Sequence, residues 1–359
     1  MTLPMLSLVV PVRNEAAYIE RCLESLMAQD FAGHDYEILV IDGMSEDGTA
    51  EKIQNLKSKY PKLRLFKNPK KTVSSGVNVG IRNSTGQIIF RLDAHALYAP
   101  DYVHACLEAM EQTGAANVGG TAIPLPGDES SQARAVLLVH LSPFGLGGGA
   151  FRRPGFEGYT DSVWPGCFAK KILEKVGLFD ERLTRTEDIE LNTRIISSGG
   201  KIYISPKIKS YYICRAKVKD LLQQRWLDGI GVIQTMAINP RAPKLRHFVP
   251  LAFVLSLTAL SVLSLSASGF GYLLLTELGL YFGAMLFFIL KTYFDFDKYI
   301  KCNIMIVGHT KSAFFKSMAL LPIVFLGLHL SYGLGSLWAL LSLPGWWGRF
   351  RRTVNYALN

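Results

Sequence analysis

Leu6-Ser7-Leu8-Val9-Val10-Pro11-Val12-Arg13-Asn14-Glu15 is the stretch from which the fold is read. A largely apolar run stops at three polar residues, the pattern of a buried strand whose carboxyl end opens onto solvent. No cationic region precedes it and no small-residue cleavage site follows, so it reads as a strand and not as a signal peptide. Downstream, Ile19, Cys22, Leu23, Leu26 and Met27 recur at spacings of three and four, which predicts a helix. The alternation continues with strands over 37–41, 63–66 and 87–92 and helices over 49–60 and 74–83. This pattern predicts an α/β fold, a mostly parallel sheet with helices on both faces. In such sheets the ligand site lies beyond the carboxyl ends of the strands.

The polar residues gather at those ends. Arg13, Asn14 and Glu15 follow the first strand, Asp42, Ser45 and Asp47 the second, and Asp93 and His95 the fourth. Taken singly, Asp42-Gly43 and Asp47-Gly48 are good turn formers, and Asp47 or Thr49 serves equally as a helix N-cap. Three clusters at equivalent ends of one sheet point instead to a shared site. Carboxylates there suit hydrogen bonds to a ribose or base and hold a hard cation against a diphosphate. Asp93 and His95, two apart in an extended segment, face the same side. Their oxygen and nitrogen donors suit Mn²⁺ or Mg²⁺ bound mainly by substrate phosphates; a surface His beside a turn Asp is the plain alternative.

Composition changes near residue 247 of the 359. Residues 248–359 hold eight Lys/Arg and three Asp/Glu, within a net charge of +10. The chain is 49% hydrophobic, which excludes disorder, and the apolar tail excludes a uniformly water-soluble protein. No Lys/Arg block with interleaved aromatics is present, so the basic residues read as attraction to membrane lipids and nucleic acid is not a partner. Five cysteines, odd in number and far apart, read as reduced thiols.

Residues 248–290 carry one charge, Glu277, and as a single helix would reach about 65 Å, roughly twice a hydrocarbon core. Two spans are expected, near 248–266 and 271–290, and a third near 318–340 before Trp346-Trp347. The loop 291–316, with its five lysines, is expected on the cytosolic side. A third full span then places Arg349, Arg351 and Arg352 outside, unless that segment is re-entrant. Glu277 and His329 should face a partner, each other or an acceptor path. Val218, Leu221, Leu222, Arg225, Trp226, Ile230 and Ile233 line one side of a helix, either interfacial or packed on the amino-terminal α/β domain. The division expected is 1–215, 216–247 and 248–359. Between Phe144 and Gly155, four glycines in five positions permit a mobile loop in which Arg152 and Arg153 meet a phosphate, or a plain surface loop.

Val9 to Glu15, Val40 to Thr49 and Asp93-Ala94-His95-Ala96 resemble the nucleotide-sugar half of a family 2 glycosyltransferase of the GT-A fold. Asp161 to Cys167, Gly177 to Glu181 and Thr186-Glu187-Asp188-Ile189-Glu190-Leu191-Asn192 resemble its acceptor half, and the tail around His329 resembles the succinoglycan-type glucosyltransferases. The resemblance implies an inverting, metal-dependent hexosyltransferase with Asp188 as general base. Asp93 and His95 become the metal pair and Pro11, Arg13, Glu15, Asp42, Asn78 and Asp93 the nucleotide-sugar pocket. Glu187, Trp164, Gly166, Arg152, Arg153 and Gln224 fall on the acceptor and lid side. It also implies a UDP-sugar donor, a polyprenyl-diphosphate-linked saccharide acceptor, and a multi-pass protein of the inner membrane with a cytoplasmic catalytic domain, alone, as a homo-oligomer or with polysaccharide-assembly partners. Two positions depart from the family pattern. His95 stands where Asp-x-Asp has its second Asp, as expected of the succinoglycan branch, and Leu222 stands where the processive Gln-x-x-Arg-Trp motif has Gln. Single transfer is therefore expected over processive synthesis. The alternatives are a polyprenyl-phosphate sugar synthase and a non-catalytic transporter or sensor.

Overall fold

The computed structural model describes residues 3–146, 149–153, 155–295 and 311–357. The chain forms two compact units, the first from residues 1–123 and 149–213, the second from 124–148 and 214–359. The units meet along the chain at 213/214 and also at 123/124 and 148/149. The expected middle segment 216–247 is not separate, and residues 124–148 join the apolar tail.

Unit 1 begins with β1 (Leu6–Val12), α1 (Ile19–Met27), β2 (Tyr36–Asp42), α2 (Thr49–Lys59), β3 (Leu63–Lys67), α3 (Val73–Asn83) and β4 (Ile88–Arg91). After β5 (Ala96–Tyr98) and α4 (Tyr102–Thr113), β6 (Asn117–Leu125) leads out to α5 (Ser131–Leu141) of unit 2. The chain returns through β7 (Gly158–Tyr159), β8 (Gly166–Ala169), α6 (Lys170–Val176), α7 (Glu187–Ser197) and β9 (Ile202–Ile213). The sheet runs β3-β2-β1-β4-β8-β6-β9-β5, with β7 on β9. From β3 to β4 it is parallel, and β8 joins β4 antiparallel.

Strand periodicity sets both faces. Leu6, Leu8, Val10, Ile38 and Val40 pack against α1, α2 and α4. Val9, Leu39 and Ile41, on the opposite side, pack against α3, α6 and α7. The approach of α3 to β1 is so close that a Cβ at Gly80 would lie 2.3 Å from Val9 Cγ1.

Unit 2 adds α8 (Val218–Ile238), α9 (Val249–Leu263), α10 (Ser268–Phe294) and α11 (Lys311–Ala357) to α5. α10 has 27 residues, and the apolar part of α11, Phe314–Trp346, has 33; both are long and apolar enough to cross a membrane. Leu280 and Phe287 of α10 are 71% and 62% exposed, a surface suited to lipid. The expected span 248–266 condenses to α9, whose 15 residues rise only about 22 Å, short of a core of about 30 Å. The expected span 318–340 lies within a helix of 47 residues that continues through Pro322 and Pro344. Residues 296–310, which include much of the lysine loop, and the side chains of Arg349, Arg351 and Arg352 lie outside the described residues.

α8 is not simply laid on a membrane. Leu221, Val232 and Ile233 are buried, and a Cβ at Gly229 would stand 2.1 Å from the Tyr332 carbonyl oxygen of α11. Of the expected apolar face, Leu221 and Ile233 are buried, and Leu222 and Trp226 lie against Gly327 and Gly335 of α11. Glu277 and His329 do find partners, though not each other. Ser256 donates to Glu277 Oε1 at 2.5 Å, and His329 lies between the Tyr281 hydroxyl, at 2.9 Å, and the Phe144 carbonyl, at 2.8 Å.

Candidate active site

The ends of β1 and β2 are tied into one platform. Asn14 takes a left-handed backbone, and its N–H donates to Ser45 Oγ while its side-chain oxygen accepts from Glu46 N–H. Glu15 N–H donates to Thr49 Oγ1 and Ala16 N–H to Asp47. Asp42 is buried and accepts from Ser45 Oγ at 2.6 Å, so part of its hydrogen-bonding capacity closes a turn. Pro11 lies where α3 approaches, 3.2 Å from the Cβ that Gly76 lacks, and Arg13 is exposed at the rim.

At the end of β4 the chain buries a guanidinium among acids. Arg91 lies 3.3 Å from both Asp93 Oδ1 and Glu187 Oε1. Asp93 Oδ2 accepts from Trp164 Nε1 at 2.7 Å, so Trp164 fixes the carboxylate from the opposite side. Glu187 and Asp188 open α7. Asn192 accepts a hydrogen bond from Asn117 at 2.8 Å, and Arg194 clamps Glu190 and the carbonyls of Val176, Gly177 and Leu178. These contacts tie the body of α7 to β6 and to the segment after α6, while the helix start meets the end of β4 through Arg91 and Glu187.

The electrostatics follow from three carboxylates around one cation. Burial, followed by repulsion from Asp188, pushes the Glu187 carboxyl up to about 7, against the pull of Arg91. Asp188 is also raised, first by burial and further by Asp93, with Arg91 opposing. The surrounding acids hold the Arg91 proton more firmly than usual.

His95 Nδ1 lies 3.1 Å from Glu15 Oε1. One oxygen of Glu15 thus orients the imidazole, with Nε2 on the far side of the ring. A carboxylate behind the distal nitrogen is the usual support of a metal-ligating histidine. Among the described residues no three His, Cys, Asp or Glu side chains cluster as a closed metal cage. Asp93 and His95 thus fit an open site completed by phosphate oxygens, as Mg²⁺ and Mn²⁺ prefer.

The remaining expected residues separate. Asn78 is 1% exposed, with both amide atoms on the Phe179 backbone and its nitrogen also on Glu181; it pins α3 to the segment before α7. Gly166 pairs with Arg91 across β8 and β4, and a Cβ there would strike the Phe168 ring at 2.6 Å. Arg152 lies in a short 3-10 turn, its guanidinium 5.0 Å from the Phe151 ring, and Arg153 is exposed beside it. Gln224 belongs to α8 of unit 2. Of the glycine-rich stretch, residues 147, 148 and 154 are outside the described residues. Arg91 is not among the expected site residues because it falls within the expected strand 87–92. A lone charge in an apolar parallel strand was the available signal.

Residues 7–165 match the family model described as Glycosyl transferase family 2. The chain is 31% identical over 230 residues to the dolichyl N-acetyl-α-D-glucosaminyl phosphate 3-β-D-2,3-diacetamido-2,3-dideoxy-β-D-glucuronosyltransferase of Methanococcus voltae, covering 61% of this chain and 70% of that one. It is 29% identical over 247 residues to a succinoglycan biosynthesis protein of Rhizobium meliloti, covering 68% and 74%. A mannosyltransferase from Pyrobaculum calidifontis, solved with GDP-Man and Mn²⁺, superposes with a TM-score of 0.61 at 18% identity over 93% of this chain and 87% of that one. The similarity in sequence to proteins matched over most of their length, with the GT-A fold beneath it, makes this chain a member of glycosyltransferase family 2.

Proposed function

We propose that the chain moves a hexose, glucose by its resemblance to the succinoglycan branch, from a UDP-sugar to a polyprenyl-diphosphate-linked saccharide, with inversion. The observation that carries this is the convergence of Asp93, Arg91, Glu187 and Asp188 where β4 ends and α7 begins. Asp188 takes the proton from the acceptor hydroxyl. Its raised proton affinity brings it nearer the operating pH, where a general base is most effective. One carboxylate acting opposite the leaving group gives inversion. A divalent cation on Asp93 and His95, when bound, supplies Lewis-acid stabilisation of the departing diphosphate. Glu15 fixes the imidazole, Trp164 fixes Asp93, and Arg91 keeps three acids together without collapse of the pocket.

The Methanococcus relative carries in its name an acceptor that is already a lipid-linked sugar, which supports a glycosylated lipid over a bare lipid phosphate. The exposed apolar faces of α10 and α11 support a multi-pass place in the inner membrane. Cys22, Cys106 and Cys167 are buried free thiols, which suits a catalytic unit on the cytoplasmic side. In the test, the full chain in proteoliposomes receives radiolabelled UDP-glucose and other nucleotide sugars, with polyprenyl phosphate or with a polyprenyl-diphosphate saccharide. Label should pass only to the glycosylated lipid. Label on polyprenyl phosphate alone would make the chain a lipid-phosphate sugar synthase, and no transfer or donor hydrolysis with any sugar would remove the enzymatic reading.

A further inference from the structure

Among the described residues the other buried arginine, Arg91, is partnered by Asp93 and Glu187, and the half-buried Arg225 by Asp228. Arg134 is different. It lies in the first turn of α5, where every residue from Ala133 to His140 is buried, and is itself only 8% exposed. Among the described residues its guanidinium has no ion pair and no hydrogen bond; Asp128 senses its charge at longer range. A cation near a helix N-terminus also opposes the helix dipole. The stem of Arg134 is thus buried, while its guanidinium nitrogens stay open at the helix start without a protein partner.

Side chains on a helix lean toward its N-terminus, so the guanidinium is carried toward Ser130 and Ser131. The segments entering α5 and α8 lie side by side there. Cys214 N–H donates to the Leu125 carbonyl at 2.9 Å, Gly127 has no room for a Cβ against the Cys214 carbonyl, and Val218 N–H of α8 donates to Gln132 of α5 at 3.2 Å. Arg215 and Lys217 lie on the α8 side of this junction, and Lys217 also acts on Asp128. The nearby acids, Asp128, Glu129 and Asp220, are exposed, and Asp128 is engaged by Ser130 N–H at 2.8 Å. Ser130 Oγ takes the Ala133 N–H and Gln132 takes the Val218 N–H, which leaves the N–H groups of Ser131, Gln132 and Lys219 without a partner among the described residues. Backbone N–H groups of helix first turns with an unpaired guanidinium are elements with which proteins hold phosphate.

We propose that Arg134, with the first turns of α5 and α8, binds the phosphate of a lipid headgroup, the group that joins the acceptor saccharide to its polyprenyl chain. This rests on the lipid-linked acceptor proposed above. It favours a lipid over a free anion because the same unit carries the exposed apolar faces of α10 and α11.

The test uses the full chain in detergent, as wild type, Arg134→Met and Arg134→Lys, with short-chain polyprenyl phosphate, polyprenyl diphosphate or inorganic pyrophosphate. Binding is followed by thermal shift and by native mass spectrometry. The lipid phosphates should bind wild type at least tenfold more tightly than Arg134→Met, with Arg134→Lys between them. Ligand-free Arg134→Met should melt at or above wild type, and UDP binding should be equal in all three. Equal lipid binding by Arg134→Met would overturn the site. So would a ligand-free Arg134→Met that melts well below wild type, since Arg134 would then be structural. Equal protection by pyrophosphate and lipid would overturn the assignment to a lipid. Wild type that ignores every lipid phosphate while hydrolysing its donor would remove the lipid-linked acceptor itself, whereas wild-type binding without an Arg134 effect removes only this site.

Discussion

In unit 1 the buried Arg91 is hemmed in by Asp93, Glu187 and Asp188, whereas in unit 2 the buried Arg134 has no counterion among the described residues. The first unit thus carries buried negative charge in excess at its site, the second buried positive charge. An excess of carboxylates suits a divalent cation and an acid–base step; an excess of guanidinium suits a phosphate. The difference assigns a separate task to each unit, and each assignment can be broken by changing one residue. The largest effect is expected at Asp188. Asp188→Asn keeps the shape and removes the base, and should lower kcat by at least about a thousandfold while UDP affinity stays within about threefold. Transfer rates and calorimetric UDP binding read the two quantities separately, and retained turnover would break the assignment of base chemistry to unit 1.

Packing contrasts as well. In unit 1 a Cβ at Gly80 meets the end of a side chain, Val9; in unit 2 a Cβ at Gly229 meets backbone, the Tyr332 carbonyl at 2.1 Å and Ser336 N at 2.9 Å. Replacing Gly by Ala within a helix ordinarily gains about 1 kcal/mol. At Gly229 that gain should be reversed to a loss of about 2–3 kcal/mol, because α8 and α11 must separate. Gly80→Ala should lose less. Thermal unfolding of the full chain in detergent compares the two, and the opposite ranking would mean that the α8–α11 contact yields easily.

The crowding of acids in unit 1 has a pH signature. Glu187 holds its proton up to about 7 in the folded protein and releases it near 4.5 when unfolded. Between these values the native state binds more protons, so stability falls as pH climbs through the window and stays low above it. Glu187→Gln cannot ionise and should lack this decline. It should match wild type near pH 4.5 and exceed it above pH 7, by at most about 3 kcal/mol. Melting curves from pH 4.5 to 8 in chelator read this directly, and a wild type that gains stability toward pH 8 relative to Glu187→Gln would contradict the raised carboxyl.

The same contrast explains what the sequence makes legible. β1 to β4 match the expected elements within about a residue at most ends, because a strand buried on both faces is an apolar run and its covering helix has a period near 3.6. The strands β5 to β9 are not among the expected elements: Gly166–Ala169 and Ala96–Tyr98 are too short for a period to register, and β6 and β9, though long, carry polar and charged residues that blur it. In unit 2, composition announces apolar helices but not their lengths. Nothing in the run of Val, Leu and Ser marks where α9 stops, and the prolines of α11 suggest a break that the helix does not make. At the site, the acids were legible as residues following strands. Of their partners, Trp164 is expected from the family resemblance alone and Arg91, the last residue of β4, is not among the expected site residues, because contact across the sheet is not written in local pattern.

The smallest expected effect sharpens the comparison furthest, because it asks whether the negative excess of unit 1 is arranged for a cation or merely present. If His95 binds a metal through Nε2, Glu15 sets its tautomer and raises its basicity through the 3.1 Å contact at Nδ1. Glu15→Gln keeps an acceptor at that point but removes the charge, so the tautomer survives and the basicity falls. Removing an outer partner of a metal ligand weakens metal binding by about 10- to 100-fold, and the milder change should fall near tenfold, about 1.4 kcal/mol. Glu15→Ala should fall further along that range. The readout is the Mn²⁺ concentration that half-saturates UDP binding in calorimetry, with UDP affinity in chelator as the control. A rise in half-saturation with an unchanged control places Glu15 behind the metal. Equal changes in both would return Glu15 to the nucleotide pocket, and no change in either would leave Asp93 as the protein's sole ligand and His95 as a neighbour.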